Sequence, residues 1–310
     1  MRIVFMGTPQ LAVPALRHLV LNGYTPAAVY TRPDKPAGRG RGLAVPPVKQ
    51  LAQALGLPVV QPASIKDPAA LEELAGYKPD VIVIAAYGQI LPDFVLELPR
   101  YGCINIHFSL LPRHRGAAPV AAAILAGDQF SGVSIMLVTR KLDSGPVLAR
   151  AAVPIMNNDT TGSLSAKLSP VAARLLLDIL PNWLAGKIEP QPQNEALASY
   201  TGAIAKQAGA IDWQQPALAI WRQVRAYQPW PSSYTSWRGQ VLKVIQAEPL
   251  PVAEDGEAGR VTALADGDLG VVTGDGILKL VTIQLEGRRA VSAAEFVCGQ
   301  RGFIGSLLPG

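Results

Sequence analysis

The sequence predicts an α/β protein in two parts: a doubly wound, mostly parallel sheet over residues 1–186 and a small OB-like β-barrel over residues 208–310, with a linker at 187–207. Three observations predict it. The chain opens as a short apolar run, Arg2 to Met6, then a Gly7-Thr8-Pro9 turn, then a helical pattern from Leu11 to Leu21, which is how a doubly wound domain begins. Apolar runs without alternation, such as Val81 to Ala86, read as strands buried on both faces, and they alternate with helical patterns. From Ser233 onward the texture changes to short runs between turns, which suits a small Greek-key barrel of five strands.

The second strand is Ala27 to Thr31. The glycines before it do not form G-x-G-x-x-G and no acidic residue ends it, so a nicotinamide-binding reading is disfavoured. Thr31 to Pro47 follows, with four prolines and three glycines that exclude regular structure, and here Arg32, Lys35, Arg39 and Arg41 face a single acid, Asp34. Long basic loops between a strand and a helix are uncommon, and such a loop suits a phosphate backbone, where each neutralised phosphate also releases counterions. A helix at Val48–Leu55, a short strand at Pro58–Gln61 and a helix at Pro68–Gly76 lead to Val81–Ala86. The loop after that strand, Tyr87-Gly88-Gln89-Ile90-Leu91-Pro92, sits where open α/β sheets bind ligands, outside the carboxyl end of a strand.

Cys103 to Pro119 carries the densest chemistry. Asn105 and His107 lie two apart near a strand end, so they project from the same face, and Ser109 and Pro112 then break the strand. An amide can donate to developing negative charge, and an imidazole can accept or deliver a proton near pH 7. Ala117–Leu125 is helical, and Val133–Val138 and Val147–Val153 are strands around a polar loop that contains Asp143. Asp159-Thr160-Thr161 caps a helix from Gly162 to Leu184 that Pro170 and Pro181 are expected to interrupt. Gly186 to Gln207 has little periodicity, Ala217–Ala226 is a helix, and the barrel strands are Ser233–Trp237, Leu242–Glu248, Gly259–Ala265, Leu269–Thr273 and Gly276–Gln284.

Composition narrows the function classes. Of 310 residues 49% are hydrophobic and 16% charged, which excludes a disordered chain. No apolar run approaches the ~20 residues of a membrane helix, and Met1 to Gly7 lacks the layout of a signal peptide. Two cysteines and three histidines leave little room for a metal cluster, so none is expected. The net charge of +5 is concentrated in residues 1–186, with 17 Lys or Arg against 11 Asp or Glu. That surplus points weakly to nucleic acid.

The run Asn-x-His, then Ser-Leu-Leu-Pro, continuing through Arg115-Gly116-Ala117-Ala118-Pro119, resembles the signature of the formyltransferases that use 10-formyltetrahydrofolate, most of all those acting on methionyl-tRNA. The similarity extends through the basic insertion, Ile211-Asp212-Trp213, Pro229-Trp230-Pro231 and Gly274-Asp275-Gly276. The resemblance implies a Rossmann-like catalytic domain followed by an OB-like tRNA-binding domain. It implies Asn105, His107 and Asp143 as the catalytic residues, with the first two stabilising an oxyanion and Asp143 holding the imidazole. Ser109, Leu110, Leu111 and Pro112 would frame the folate co-substrate, together with Tyr87, Gly88, Gln89 and Ile90 through their backbone. Arg32, Lys35, Arg39 and Arg41 would meet the acceptor stem of initiator methionyl-tRNA. Phe108, His114 and Lys141 depart from the family pattern and bear on pocket shape. A monomeric cytoplasmic enzyme is the default; an amino-sugar nucleotide as formyl acceptor, and a non-catalytic RNA-binding protein, are the alternatives.

Overall fold

Among the described residues the strands up to Thr201 are β1 (Ile3–Gly7), β2 (Ala28–Tyr30), β3 (Lys35–Ala37), β4 (Gly42–Ala44), β5 (Val59–Val60), β6 (Val81–Ala85), β7 (Cys103–His107), β8 (Arg115–Gly116), β9 (Phe130–Leu137), β10 (Val147–Pro154) and β11 (Tyr200–Thr201). The computed structural model describes residues 1–37, 42–252, 256–265 and 267–310. These fall into two units, one of Met1–Pro119, Phe130–Pro154 and Ser165–Thr201, the other of Val120–Gln129, Ile155–Leu164 and Gly202–Gly310. Among the described residues no helix is long and apolar enough to cross a membrane.

The first unit is built on a seven-stranded sheet of order β10-β9-β7-β6-β1-β2-β5. β5, β2, β1, β6 and β7 run parallel, as their helical connections α1 (Val13–Leu21), α2 (Pro47–Ala54), α3 (Pro68–Gly76) and α4 (Asp93–Glu97) require. Every residue of β1 and β6 is buried, which is why these runs show no alternation in the sequence. The strand order reverses between β1 and β6, so the crevice at their carboxyl ends is the place where a doubly wound sheet takes a ligand. β9 then runs antiparallel to β7, and β10 antiparallel to β9.

Two expectations are corrected here. Thr31 to Pro47 is not wholly irregular: β3 and β4 pair, with Lys35 opposite Ala44 and Ala37 opposite Gly42. Pro36 is tolerated because a two-stranded ladder is all edge, and the missing N–H deprives no second neighbour. The helix after Asp159 is continuous: α6 spans Thr161–Leu184 with Pro170 and Pro181 inside it, following α5 (Pro119–Ala126) in the chain. Leu164, Leu168, Ala172, Leu176 and Leu180 recur every four residues and are all buried. That stripe outweighs the ~3 kcal/mol a helical proline costs, since each buried Leu contributes about 2 kcal/mol. The expected cap holds, with Thr160 and Ser163 exchanging bonds of 3.2 and 3.0 Å between side chain and backbone.

After α7 (Ala217–Ala226) come β12 (Ser233–Trp237), β13 (Gln240–Leu250), β14 (Val261–Ala263), β15 (Leu269–Val272), β16 (Ile277–Leu285), β17 (Val291–Ser292) and α8 (Ala293–Gly299). The sheet order is β12-β13-β16-β15-β14, all antiparallel, with β17 on β16. Among the described residues β12 and β14 do not pair, so where an OB-like barrel was expected the strands form a partly open antiparallel sheet. In its core Trp237, Phe296 and Phe303 meet edge to face at 4.9 to 5.7 Å.

Candidate active site

β7 ends at the site. Asn105 lies opposite Met136 and His107 opposite Ser134 on β9. Asn105 is half buried, and within the described residues its amide makes no hydrogen bond, so its donors remain available for a substrate. His107 is buried, and both its ring nitrogens face oxygen. Nε2 lies 2.9 Å from the His114 carbonyl, which only accepts, so Nε2 carries a proton. Nδ1 lies 3.6 Å from Asp143 Oδ2. Burial pulls the imidazole below its ordinary pKa, against the Asp143 carboxylate and the His114 carbonyl, which favour the cation. The resting ring is therefore neutral with a basic Nδ1, and a proton arriving there meets a carboxylate.

Asp143 reaches this position by an unexpected route. β9 runs against β7, so the chain leaves it at the level of Cys103, whose carbonyl accepts from the Val138 N–H at 2.8 Å. It must then return across the face of the sheet to bring the Asp143 side chain to His107. Asp143 sits at φ 44°, and the Gly116 N–H fixes its Oδ2 at 2.8 Å. Two glycines permit the approach: a Cβ on Gly145 would strike the Leu137 carbonyl, and one on Gly116, at φ 111°, the Thr201 carbonyl. Gly116→Ala is expected to cost about 2 kcal/mol, read as a lower urea midpoint at unchanged m-value.

The Ser109–Pro112 turn is held from β9. The Ser134 hydroxyl donates to the Ser109 carbonyl at 2.7 Å and accepts from the Leu111 N–H at 3.0 Å, while Arg150 Nε donates to the Leu111 carbonyl at 2.9 Å. Ser109 closes the turn by donating to the Arg113 carbonyl at 2.7 Å, and the Leu111–Pro112 peptide is cis. Leu111 packs on Met136 and Val147, and Leu110 is half exposed. In the loop after β6 the Tyr87 side chain is buried and Thr8 Oγ1 donates to its carbonyl at 2.9 Å. The Gln89 amide bonds Ile65 N and the Pro62 carbonyl, leaving backbone and the exposed Ile90 to face a ligand.

Among the basic residues of the insertion, Arg32 is held by the loop after β6, donating from Nη1 to the Gly88 carbonyl at 3.1 Å. Lys35 is exposed, and Asp34 is engaged by Lys49 at 2.8 Å and Gln61 at 2.9 Å. Arg39 and Arg41 lie outside the described residues.

Sequence reasoning missed a cluster drawn from the 187–207 segment. Arg115 is wholly buried, and its guanidinium donates to Glu195 at 2.8 and 3.2 Å, to Gln193 Oε1 at 2.9 and 3.1 Å and to the Tyr200 hydroxyl at 2.9 Å. Lys141 also reaches Glu195 at 2.8 Å. No periodicity marks these partners, so spacing carried no signal; Ser134, a hydroxyl inside an apolar strand, did carry one. Hydrogen bonds from Arg115, and then from Lys141, hold the Glu195 carboxyl down to about 2. A carboxylate held below its ordinary value stabilises the fold above about pH 4.5 and loses that contribution as pH falls toward 2. Glu195→Gln should flatten that stretch of the acid unfolding curve.

Residues 1–180 match the family described as Formyl transferase, and residues 203–301 match Formyl transferase, C-terminal domain. The chain belongs to the formyl transferase family. It is 47% identical over 305 residues to a methionyl-tRNA formyltransferase of Dehalococcoides mccartyi, covering 98% of this chain and 97% of that one. Among solved structures, this formyl transferase is similar to the N-formyltransferase from Helicobacter canadensis in complex with folinic acid and dTDP-3-aminofucose, with TM-score 0.68, 19% identity and coverage of 90% and 98%. It is also similar to HypX from Aquifex aeolicus in complex with tetrahydrofolic acid, at TM-score 0.63 and 20% identity, covering 99% of this chain but only 48% of HypX. This chain thus spans about half the length of HypX.

Proposed function

We propose that this chain transfers a formyl group from 10-formyltetrahydrofolate to the amino group of methionine esterified to initiator tRNA, giving N-formylmethionyl-tRNA. The observation that carries the reading is the pairing of His107 Nδ1 with Asp143 at 3.6 Å beside the available Asn105 amide, in a formyl transferase chain. The co-substrate supplies the formyl carbon: its bond to the folate nitrogen breaks as a new amide bond to the amine forms. Asn105 donates to the oxygen that gains charge. His107 takes up the amine proton at Nδ1, Asp143 stabilises the resulting imidazolium, and that proton is then delivered to the departing folate nitrogen, which leaves as a neutral amine. The Ser109–Pro112 turn and the backbone of residues 87–90 frame the folate at the β1/β6 crevice and beside it.

Residues 1–186 form the catalytic domain in this reading, and residues 208–310 bind and orient the tRNA, with exposed Arg288 and Arg289 on that part. The enzyme works as a monomer in the cytoplasm. Arg32, Lys35, Arg39 and Arg41 meet the acceptor stem. Neutralising Arg39 and Arg41 together should weaken tRNA binding and reduce the slope of log K against log salt by about 0.9 per lost phosphate contact, with folate affinity unchanged. Transfer of labelled formyl from 10-formyltetrahydrofolate to methionyl-tRNA tests the function. Label found on an amino-sugar nucleotide and not on methionyl-tRNA would replace the acceptor, and folate binding without turnover would leave only a binding protein.

A further inference from the structure

His107 is oriented by two oxygens, and both are set by one stretch of chain far from it in sequence. On the Nδ1 side, Gln193 Nε2 donates to the Asp143 carbonyl at 2.9 Å and to the Gly145 carbonyl at 2.7 Å. On the Nε2 side, the His114 N–H donates to Ser199 Oγ at 2.9 Å, and the flanking backbone is pinned by Arg115 N to the Ser199 carbonyl at 2.8 Å and Ala117 N to the Thr201 carbonyl at 3.1 Å. The Gln193 amide can sit only one way round. Its oxygen faces two guanidinium donors of Arg115 and its NH2 faces two carbonyls, so a flipped amide would place donor against donor and acceptor against acceptor. Arg115 is itself buried and bonded at every side-chain nitrogen, so the amide is braced from behind.

We infer that Gln193 is a positioning residue for the transfer reaction, and that residues 193–201 form a strap fixing both oxygen partners of the His107 ring. Asp143 needs that brace because its loop crosses the sheet face with a left-handed residue at its tip, and two bonds from Gln193 join carbonyls on either side of Ser144. Without them the carboxylate keeps one tether, the Gly116 N–H. Asp143 and His114 are the ionisable groups acting on the ring, so a shift of either partner is felt by its titration. The inference rests on the proposed roles of His107 and Asp143.

The test compares Gln193→Glu, Ser199→Ala and Asp143→Asn with the parent. Gln193→Glu is nearly isosteric and keeps an acceptor for Arg115, but it turns a carboxylate toward two carbonyls and so releases only the Asp143 loop. Its kcat should fall by about 10- to 100-fold, the scale set by misplacing a group by ~1 Å, with KM for 10-formyltetrahydrofolate within about twofold. The His107 imidazole, followed by NMR across pH, should titrate at a shifted midpoint; because the new carboxyl can shift it through its charge alone, the uncharged Ser199→Ala is the titration that separates displacement from that field. Ser199→Ala should move the same titration from the other side of the ring and lower kcat by about threefold or more, as expected for a smaller displacement. If Gln193→Glu does not fold, Ser199→Ala decides. Unchanged kcat and unchanged His107 titration in the folded variants, with Asp143→Asn inactive, would overturn the strap while leaving the proposed function standing. An Asp143→Asn enzyme with parental turnover would instead remove the catalytic reading, and the strap with it.

Discussion

His107→Ala should lower turnover by about 10²-fold or more while the protein stays folded. The ring has an acceptor behind it and a carboxylate at its working nitrogen. Alanine removes the basic Nδ1 and leaves Asp143 tethered to the Gly116 N–H, so the loop keeps its position and loses its purpose. In the parent, burial and the flanking groups leave the imidazole below its ordinary 6.5, so the acid limb of kcat/KM should fall below that value. The limb should be absent in the alanine variant. Parental turnover in the variant would return His107 to a purely structural role.

Arg115→Ala should be the most damaging change to stability, lowering Tm by roughly 10 °C. The guanidinium is wholly buried and makes five hydrogen bonds to Gln193, Glu195 and Tyr200. Its loss leaves Gln193 without its brace and a cavity where the side chain lay. Glu195 and Tyr200 are exposed and Glu195 keeps Lys141, so the cost, about 3 kcal/mol, comes from the lost packing and the unpaired Gln193 amide, and in a unit of this size each kcal/mol is worth about 2–4 °C. Arg115→Lys should recover little, because one ammonium cannot span three partners that a planar fork reaches together. Calorimetry on both variants, with limited proteolysis around residues 187–207, separates loss of the strap from global unfolding. A Tm within about 2 °C of the parent would show that the cluster is dispensable.

The parallel half of the sheet was legible because its strands are local events. β1 and β6 are continuous apolar runs, and Gly7 and Pro68 mark where helices and turns begin. Asn105 and His107 were legible for the same reason, since two residues apart on a strand fixes their common side. Asp143 was placed through family resemblance alone, and its path over the sheet face follows from the antiparallel register of β9, which no run of residues announces. The strap was illegible on different grounds. Gln193, Glu195 and Ser199 act through single hydrogen bonds to residues about 50 to 85 positions away, and such pairings leave no period. The open sheet of the carboxyl part shows the converse: its strands were readable, but closure depends on whether β12 and β14 meet, and neither strand carries that information.

The left-handed backbone at Asp143 narrows what could ever occupy that position. Glycine, asparagine and aspartate visit this region at little cost, whereas glutamate gains no local hydrogen bond there and pays the full steric penalty. A randomised library at codon 143 should therefore split by the screen applied to it. Selection for folded protein should return Gly, Asn and Asp together, and selection for formyl transfer should return Asp alone. Glutamate, the usual chemical stand-in, should be recovered by neither.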